Sequence, residues 1–282
     1  MLTFSPASNS AADLVAARRA SAKPGRTIRV KVKRCEGPGK PSRWEAFAVK
    51  VDRGANVISV LQQIAANPTT VEGTKTTPVV WDSGCLEEVC GACTMVINGK
   101  VRQSCSCLMD DYAPGEGDEI SLEPMSKFPV IRDLWVDRSR LFHNLERVKA
   151  WVPIDGTYYL GAGPREKPKN QEVRYKLSEC MSCGCCLEAC PQFNREADPK
   201  AWDTAFVGAH AISQARLFNM HETGSQLKSE RLDALMGPGG VSDCGNAQNC
   251  VKVCPKHIPL TESIAAIGRA VTVHAVASWF RS

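Results

Sequence analysis

The chain has 282 residues, 43% of them hydrophobic and 23% charged, with a formal net charge of +5 at pH 7. That length suits roughly two domains with real cores, and the composition excludes wholesale disorder, a collagen-like chain and a coiled-coil rod. Fourteen cysteines stand out: too sparse for a small disulfide scaffold, far more than packing requires, and therefore a sign of metal ligation.

Residues 1–25 are rich in Ala and Ser and read as a flexible or weakly helical tail. No apolar stretch follows Arg18-Arg19, so neither a secretory nor a twin-arginine signal is expected, which puts the thiols in a reducing compartment. From Thr27 the residues alternate, Ile28, Val30 and Val32 against Arg29, Lys31 and Lys33, as in a half-buried strand; with Arg34 these cations read as a solvated face. Residues 46–51 read as its partner strand, and Val57, Val60, Leu61 and Ile64 as a helix that Asn67-Pro68 ends. A short strand is expected at 79–81. Residues 94–97 and 100–104 flank Asn98-Gly99, a tight-hairpin signal, and 119–122 make a further strand. Residues 26–130 thus read as an α+β domain.

From Ile131 the period turns helical, with Ile131, Leu134, Trp135, Leu141, Phe142, Leu145 and Val148 on one stripe. A polar, Gly/Pro-rich surface loop is expected over 153–170, then helices over 205–220, 230–236 and 261–280, so that residues 131–282 form an all-α domain. No stretch reaches the roughly 18 apolar residues of a membrane span. Nor is there a basic patch with interleaved aromatics, so nucleic acid is not an expected partner.

Three cysteine runs carry the chemistry. Cys85, Cys90, Cys93 and Cys105 are spaced C-x4-C-x2-C-x11-C, the start of which is the plant-type 2Fe-2S spacing; the hairpin returns Cys105 towards Cys93. Cys107 is the alternative fourth ligand; Cys105 is preferred and Cys107 read as a packing thiol. Cys180, Cys183, Cys186 and Cys190-Pro191 form the bacterial ferredoxin run C-x2-C-x2-C-x3-C-P. Cys244, Cys250 and Cys254-Pro255 repeat it with Ala247 at the place of the second cysteine. In two-cluster ferredoxins the last cysteine of a run serves the other cluster. Cys180, Cys183, Cys186 and Cys254 then make a 4Fe-4S site. Cys190, Cys244 and Cys250 leave one corner without a ligand, as 3Fe-4S requires. Cys35, Cys107 and Cys185 remain outside the three sets.

The stretches SGCLEEVCGAC, ECMSCGCCLEACP and DCGNAQNCVKVCPK, with RLFNMHETG and SERLDALM between the last two runs, resemble the iron-sulfur subunits of succinate dehydrogenase and fumarate reductase, the electron arm of respiratory complex II. The resemblance covers nearly all the chain after the tail. It implies a β-grasp, plant-type ferredoxin-like domain holding 2Fe-2S, followed by an all-α ferredoxin-like domain holding 4Fe-4S and 3Fe-4S. It also implies a partner flavoprotein whose FAD takes the electrons from succinate, membrane-anchor subunits carrying any haem, and a quinone near the 3Fe-4S end. The expected order is flavin, 2Fe-2S, 4Fe-4S, 3Fe-4S, quinone, in a peripheral protein on the cytoplasmic face of a bacterial inner membrane. The chain has no dinucleotide fingerprint, since Gly237-Pro238-Gly239-Gly240 follows no strand and reads as a loop, and no catalytic acid or base is assigned.

One branch of the family has a tryptophan soon after the first Cys-Pro and a histidine just after the first cysteine of the last run, both at the quinone. Here Gln192-Phe193-Asn194 and Gly245-Asn246 occupy those places, which points to the menaquinone branch and leaves quinone contacts unassigned. Phe193, Trp202 and Phe206, near the 3Fe-4S ligands, read as core with a quinone platform as the open alternative, and His143, His210, His221, His257 and His274 lack ligand spacing. Two other readings are weighed. A subunit of another flavoenzyme, of the glycolate oxidase or heterodisulfide reductase type, typically lacks the 2Fe-2S domain. A zinc-binding module usually closes with two C-x2-C knuckles.

Overall fold

Alternation along β1 (Arg26–Arg34) buries Ile28, Val30 and Val32 and sends Arg29 and Lys31 outward. This computed structural model describes residues 11–153, 165–196 and 198–280. Its contacts divide into two units: the first takes 11–88, 95–124 and 130–135, the second 89–94, 125–129 and 136–280.

In the first unit β1 pairs antiparallel with β2 (Arg43–Val51), Val30 facing Phe47, and parallel with β5 (Glu119–Glu123), Val30 facing Ile120. The hairpin of β3 (Thr94–Ile97) and β4 (Lys100–Gln103) turns on Asn98 and Gly99, both at positive φ, and completes the sheet order β2-β1-β5-β3-β4. Helix α2 (Val57–Ala66) contributes Val57, Val60, Leu61 and Ile64 to the core beneath the sheet, together with Phe47, Met95 and Leu122. This mixed sheet with one packed helix is the β-grasp arrangement the sequence implied. A short α3 (Met109–Tyr112) follows. Of the segment read as a tail, Ala11–Ser21 is helix α1, whose Arg19 pairs with Asp111, and residues 1–10 lie outside the described residues.

Three expectations fail around one buried carboxylate. Residues 79–81 form no strand: Val80 N donates to Asp133 Oδ2 at 3.0 Å and its carbonyl accepts from Leu134 N at 3.0 Å. The helical stripe from Ile131 fails too, because Asp133 has φ +47, which no right-handed helix admits; two short strands, β6 (Val130–Arg132) and β7 (Trp135–Val136), stand there instead. Helix α4 begins only at Ser139 and ends at Arg147, and Phe142 on it is exposed. Thirdly, Arg34 is not a solvated cation. It shares the inward parity of Ile28, Val30 and Val32, and binds Asp133 at 2.9 Å and Glu45 at 2.5 Å. The outward Arg29, Lys31 and Lys33 pair with Glu119 and Glu123.

Among the described residues the second unit holds α4 and six further α-helices: α5 (Pro168–Ser178), α6 (Cys185–Glu188), α7 (Gly208–Met220), α8 (Lys228–Met236), α9 (Asn249–Val253) and α10 (Leu260–Trp279). Of the loop expected over 153–170, residues 154–164 lie outside the described residues and 168–170 open α5. Buried Ala211, Ile212 and Ala215 on α7 face a core that Ile267 and Val271 of α10 share. Irregular chain between helices leaves carbonyls without ladder partners, and buried Arg140 and Arg231 and half-buried Arg147 satisfy them. Arg231 donates to the carbonyls of Lys149, Trp151 and Gly224, Arg140 to that of Asn194, and Arg147 to that of Ala205. Residues 237–240 form the expected loop, tied by Val207 N to the Gly239 carbonyl.

Candidate metal centres

A thiolate held by iron gains from backbone N–H groups turned towards its sulfur, and left-handed residues turn them that way. Five of the nine non-glycine residues with positive φ among those described lie in the cysteine runs, Leu86, Glu88, Ser182, Asn246 and Gln248, and a sixth, His257, follows the last run. Within the first unit, Glu87 N donates to Cys85 Sγ and Glu88 N to Cys105 Sγ, each at 3.3 Å. Cys107 instead lies in the apolar core, where burial pushes its thiol up to about 12. The fold therefore brings Cys105, and not Cys107, to the Cys85 loop.

Asn56 anchors that arrangement. Its side chain caps α2 through Ser59 N at 2.9 Å and donates to the Cys105 carbonyl at 2.9 Å. Asn56→Ala is expected to cost about 1 kcal/mol from the cap and to loosen Cys105. The check is a fall in thermal midpoint with faster bleaching of cluster absorbance in air; an unchanged bleaching rate rejects the anchoring role.

Cys90 and Cys93 belong to the second unit, on residues 89–94. Ala92 N donates to Cys90 Sγ at 3.4 Å. The Gly91 carbonyl accepts from Thr94 Oγ1 and from Arg138, each at 2.8 Å. Gly91 lies so close to Cys183 that a Cβ on it would stand 2.7 Å from Cys183 Cα.

No three His, Cys, Asp or Glu side chains among the described residues close on a single ion; in the second unit the thiols line two cavities instead. Cys180, Cys183, Cys186 and Cys254 line one, with Cys185 and His210. Cys190, Cys244 and Cys250 line the other, with Ala247 and Gln192. Helix α6 carries Cys186 of the first cavity and ends just before Cys190 of the second. Glu188 holds the end of α6 by accepting from Ser126 N and Lys127 N at 2.9 and 3.1 Å, while Lys127 Nζ donates to the Cys190 carbonyl. Burial pushes Cys180 up to about 11 and Cys186 well above the ordinary thiol range, so these sulfurs become thiolates only beside a cation. A soft donor set of thiols around a cavity, rather than around a point, fits an iron-sulfur cluster.

Of the aromatics near these runs, Phe206 lines the second cavity; Phe193 packs on Phe128 and Arg140, and Trp202 on His143. His143 and His274 meet Asp203 and Asp233 at the surface, whereas His210 lies in a cavity wall, a place no spacing in the sequence signalled. No described helix is long and apolar enough to cross a membrane.

Residues 29–143 match the family described as a 2Fe-2S iron-sulfur cluster binding domain, and residues 176–258 match a 4Fe-4S dicluster domain. The chain is 52% identical over 257 residues to the succinate dehydrogenase iron-sulfur subunit of Bacillus subtilis, covering 91% of this chain and 97% of that protein. It is 30% identical to the fumarate reductase iron-sulfur subunit of Haemophilus influenzae, over 64% of this chain and 70% of the other. Among solved structures, a chain of the Mycobacterium smegmatis Sdh1 complex in the apo form shares the fold, with a TM-score of 0.69 at 21% identity, over 88% of this chain and 96% of that one.

Proposed function

The chain belongs to the family of succinate dehydrogenase and fumarate reductase iron-sulfur subunits, and on that premise we propose that it carries electrons singly between a partner flavoprotein's FAD and a membrane quinone. Cys85, Cys90, Cys93 and Cys105 hold 2Fe-2S in this reading. Cys180, Cys183, Cys186 and Cys254 hold 4Fe-4S, and Cys190, Cys244 and Cys250 hold 3Fe-4S, with Ala247 at the corner without a ligand. When bound, the clusters supply one-electron redox steps that divide the two-electron chemistry of a flavin. The protein's part is to seat them in sequence: Gly91 abuts Cys183 between the first two ligand runs, and α6 leads from Cys186 to Cys190 between the last two.

The carrying observation is that two runs apart in sequence meet in two cavities, Cys254 joining Cys180, Cys183, Cys185 and Cys186 in one and Cys190 joining Cys244 and Cys250 in the other. Membrane-anchor subunits, with any haem, would receive the end near the second cavity, placing this subunit peripherally on the cytoplasmic face of a bacterial inner membrane. Gln192 and Gly245-Asn246 at that cavity, in place of tryptophan and histidine, favour menaquinone. Iron and sulfide analysis with electron paramagnetic resonance on anaerobically purified complex tests the reading. About nine irons per copy of this chain are expected from its clusters, after allowance for any haem iron, with a 3Fe-4S signal in the oxidised sample and a 2Fe-2S signal after dithionite. Zinc in place of iron, without those signals, would overturn it.

A further inference from the structure

His210 is a buried polar side chain that neither ligation nor the packing of α7 accounts for. It is 2% exposed, lies between Ala209 and Ala211 on that helix, and lines the cavity of Cys180, Cys183, Cys186 and Cys254. Its Nε2 lies 3.3 Å from the Leu141 carbonyl, a long contact, and its Nδ1 is buried with no hydrogen-bond partner. Burial disfavours the charged ring, and a neutral ring has a single N–H to place. The claims on that proton are unequal. A neutral carbonyl at 3.3 Å is a weak acceptor, whereas the sulfurs of an anionic cluster take a charge-assisted bond.

We propose that His210 carries its proton on Nδ1 and donates a hydrogen bond to the cluster in this cavity, favouring the reduced state. The inference rests on the ligand assignment of the preceding section. A donor gains strength as its acceptor becomes more negative, so the bond raises the reduction potential of this cluster and leaves the other two unchanged. His210 is then a tuning group for electron flow and not a ligand.

Three variants of the assembled complex separate donation from packing. His210→Asn places an amide N–H where Nδ1 stands, His210→Gln places it near Nε2, and His210→Leu removes it. In redox titrations followed by electron paramagnetic resonance, the potential of the 4Fe-4S signal is expected to fall for Leu and Gln and to hold near wild type for Asn, at equal iron content. Equal potentials in all four proteins, or an equal fall in all three variants, would overturn the proposal. Should a variant fail to assemble, pulsed resonance on wild-type protein with 15N-labelled histidine decides: a 15N coupling and an exchangeable-proton coupling on the reduced 4Fe-4S signal are expected, and their absence overturns it. A wild-type complex without any 4Fe-4S signal would overturn the ligand assignment and this inference together, whereas an intact signal with unmoved potentials overturns the inference alone.

Discussion

Ala247→Cys is expected to convert the three-thiol cavity into a four-thiol one, adding one iron to the about nine per chain, abolishing the 3Fe-4S signal of the oxidised protein and lowering the potential of that site. The backbone supports the substitution. Cys183 stands between Ser182 and Gly184, with φ +50 and +87, and Ala247 stands between Asn246 and Gln248, with φ +52 and +59. The two loops therefore share a turned conformation around the corresponding residue, and both residues line their cavities. One added sulfur is a small volume change, directed into space that three thiols already border. Because the altered site is the last before quinone in the proposed order, a lower potential makes the step into it less favourable and slows quinone reduction. Iron analysis and spectra of a well-folded variant check this; unchanged iron and an unchanged oxidised signal would reject the correspondence of Ala247 with Cys183.

That correspondence was legible in the sequence because ligand spacing along a run is local and each Cys-Pro marks its end. The alternation of β1, the Asn98-Gly99 hairpin and the stripe of α2 were legible for the same reason. Long-range pairing was not. Arg34 reads as solvated until Asp133, 99 residues away, is seen beneath it. Asp133, with its positive φ and its bonds to Arg34, Cys35 N and Val80 N, is also what breaks the apparent helix from Ile131. Leu86 and Glu88 are poor candidates for left-handed backbone by type, so nothing in their identity announced the amides they help direct at sulfur. Nothing in the sequence singles out His210, because its proposed role depends on a cavity wall assembled from α7 and two distant cysteine runs. The proposed ligands are written in spacing, while the groups proposed to orient and tune them appear only once the chain is folded.

Gly91→Ala is the second substitution expected to have a large effect. Gly91 has φ +71, a conformation that costs a residue with a side chain about 1 kcal/mol or more. Its added Cβ would stand 2.7 Å from Cys183 Cα, 2.8 Å from Cys183 Cβ and 3.0 Å from the Met181 carbonyl. None of these atoms is the end of a flexible side chain, so one ligand run must retreat from the other. Overpacking of this kind costs roughly 1–3 kcal/mol more. Gly99→Ala is the control, because Gly99 has nearly the same φ, +74, but nothing within 4 Å of an added Cβ. The thermal midpoint should fall further for Gly91→Ala than for Gly99→Ala, by the cost of the contact alone. Electron passage reads the functional half of the argument. In freeze-quenched samples of the complex reduced with succinate, Gly99→Ala should reduce the 4Fe-4S and 3Fe-4S sites at the wild-type rate, whereas Gly91→Ala should reduce the 2Fe-2S site normally and the later sites more slowly. Equal midpoints and equal rates for the two variants would mean that the backbone approach at Cys183 matters neither to stability nor to the hand-over of electrons between the first two ligand runs.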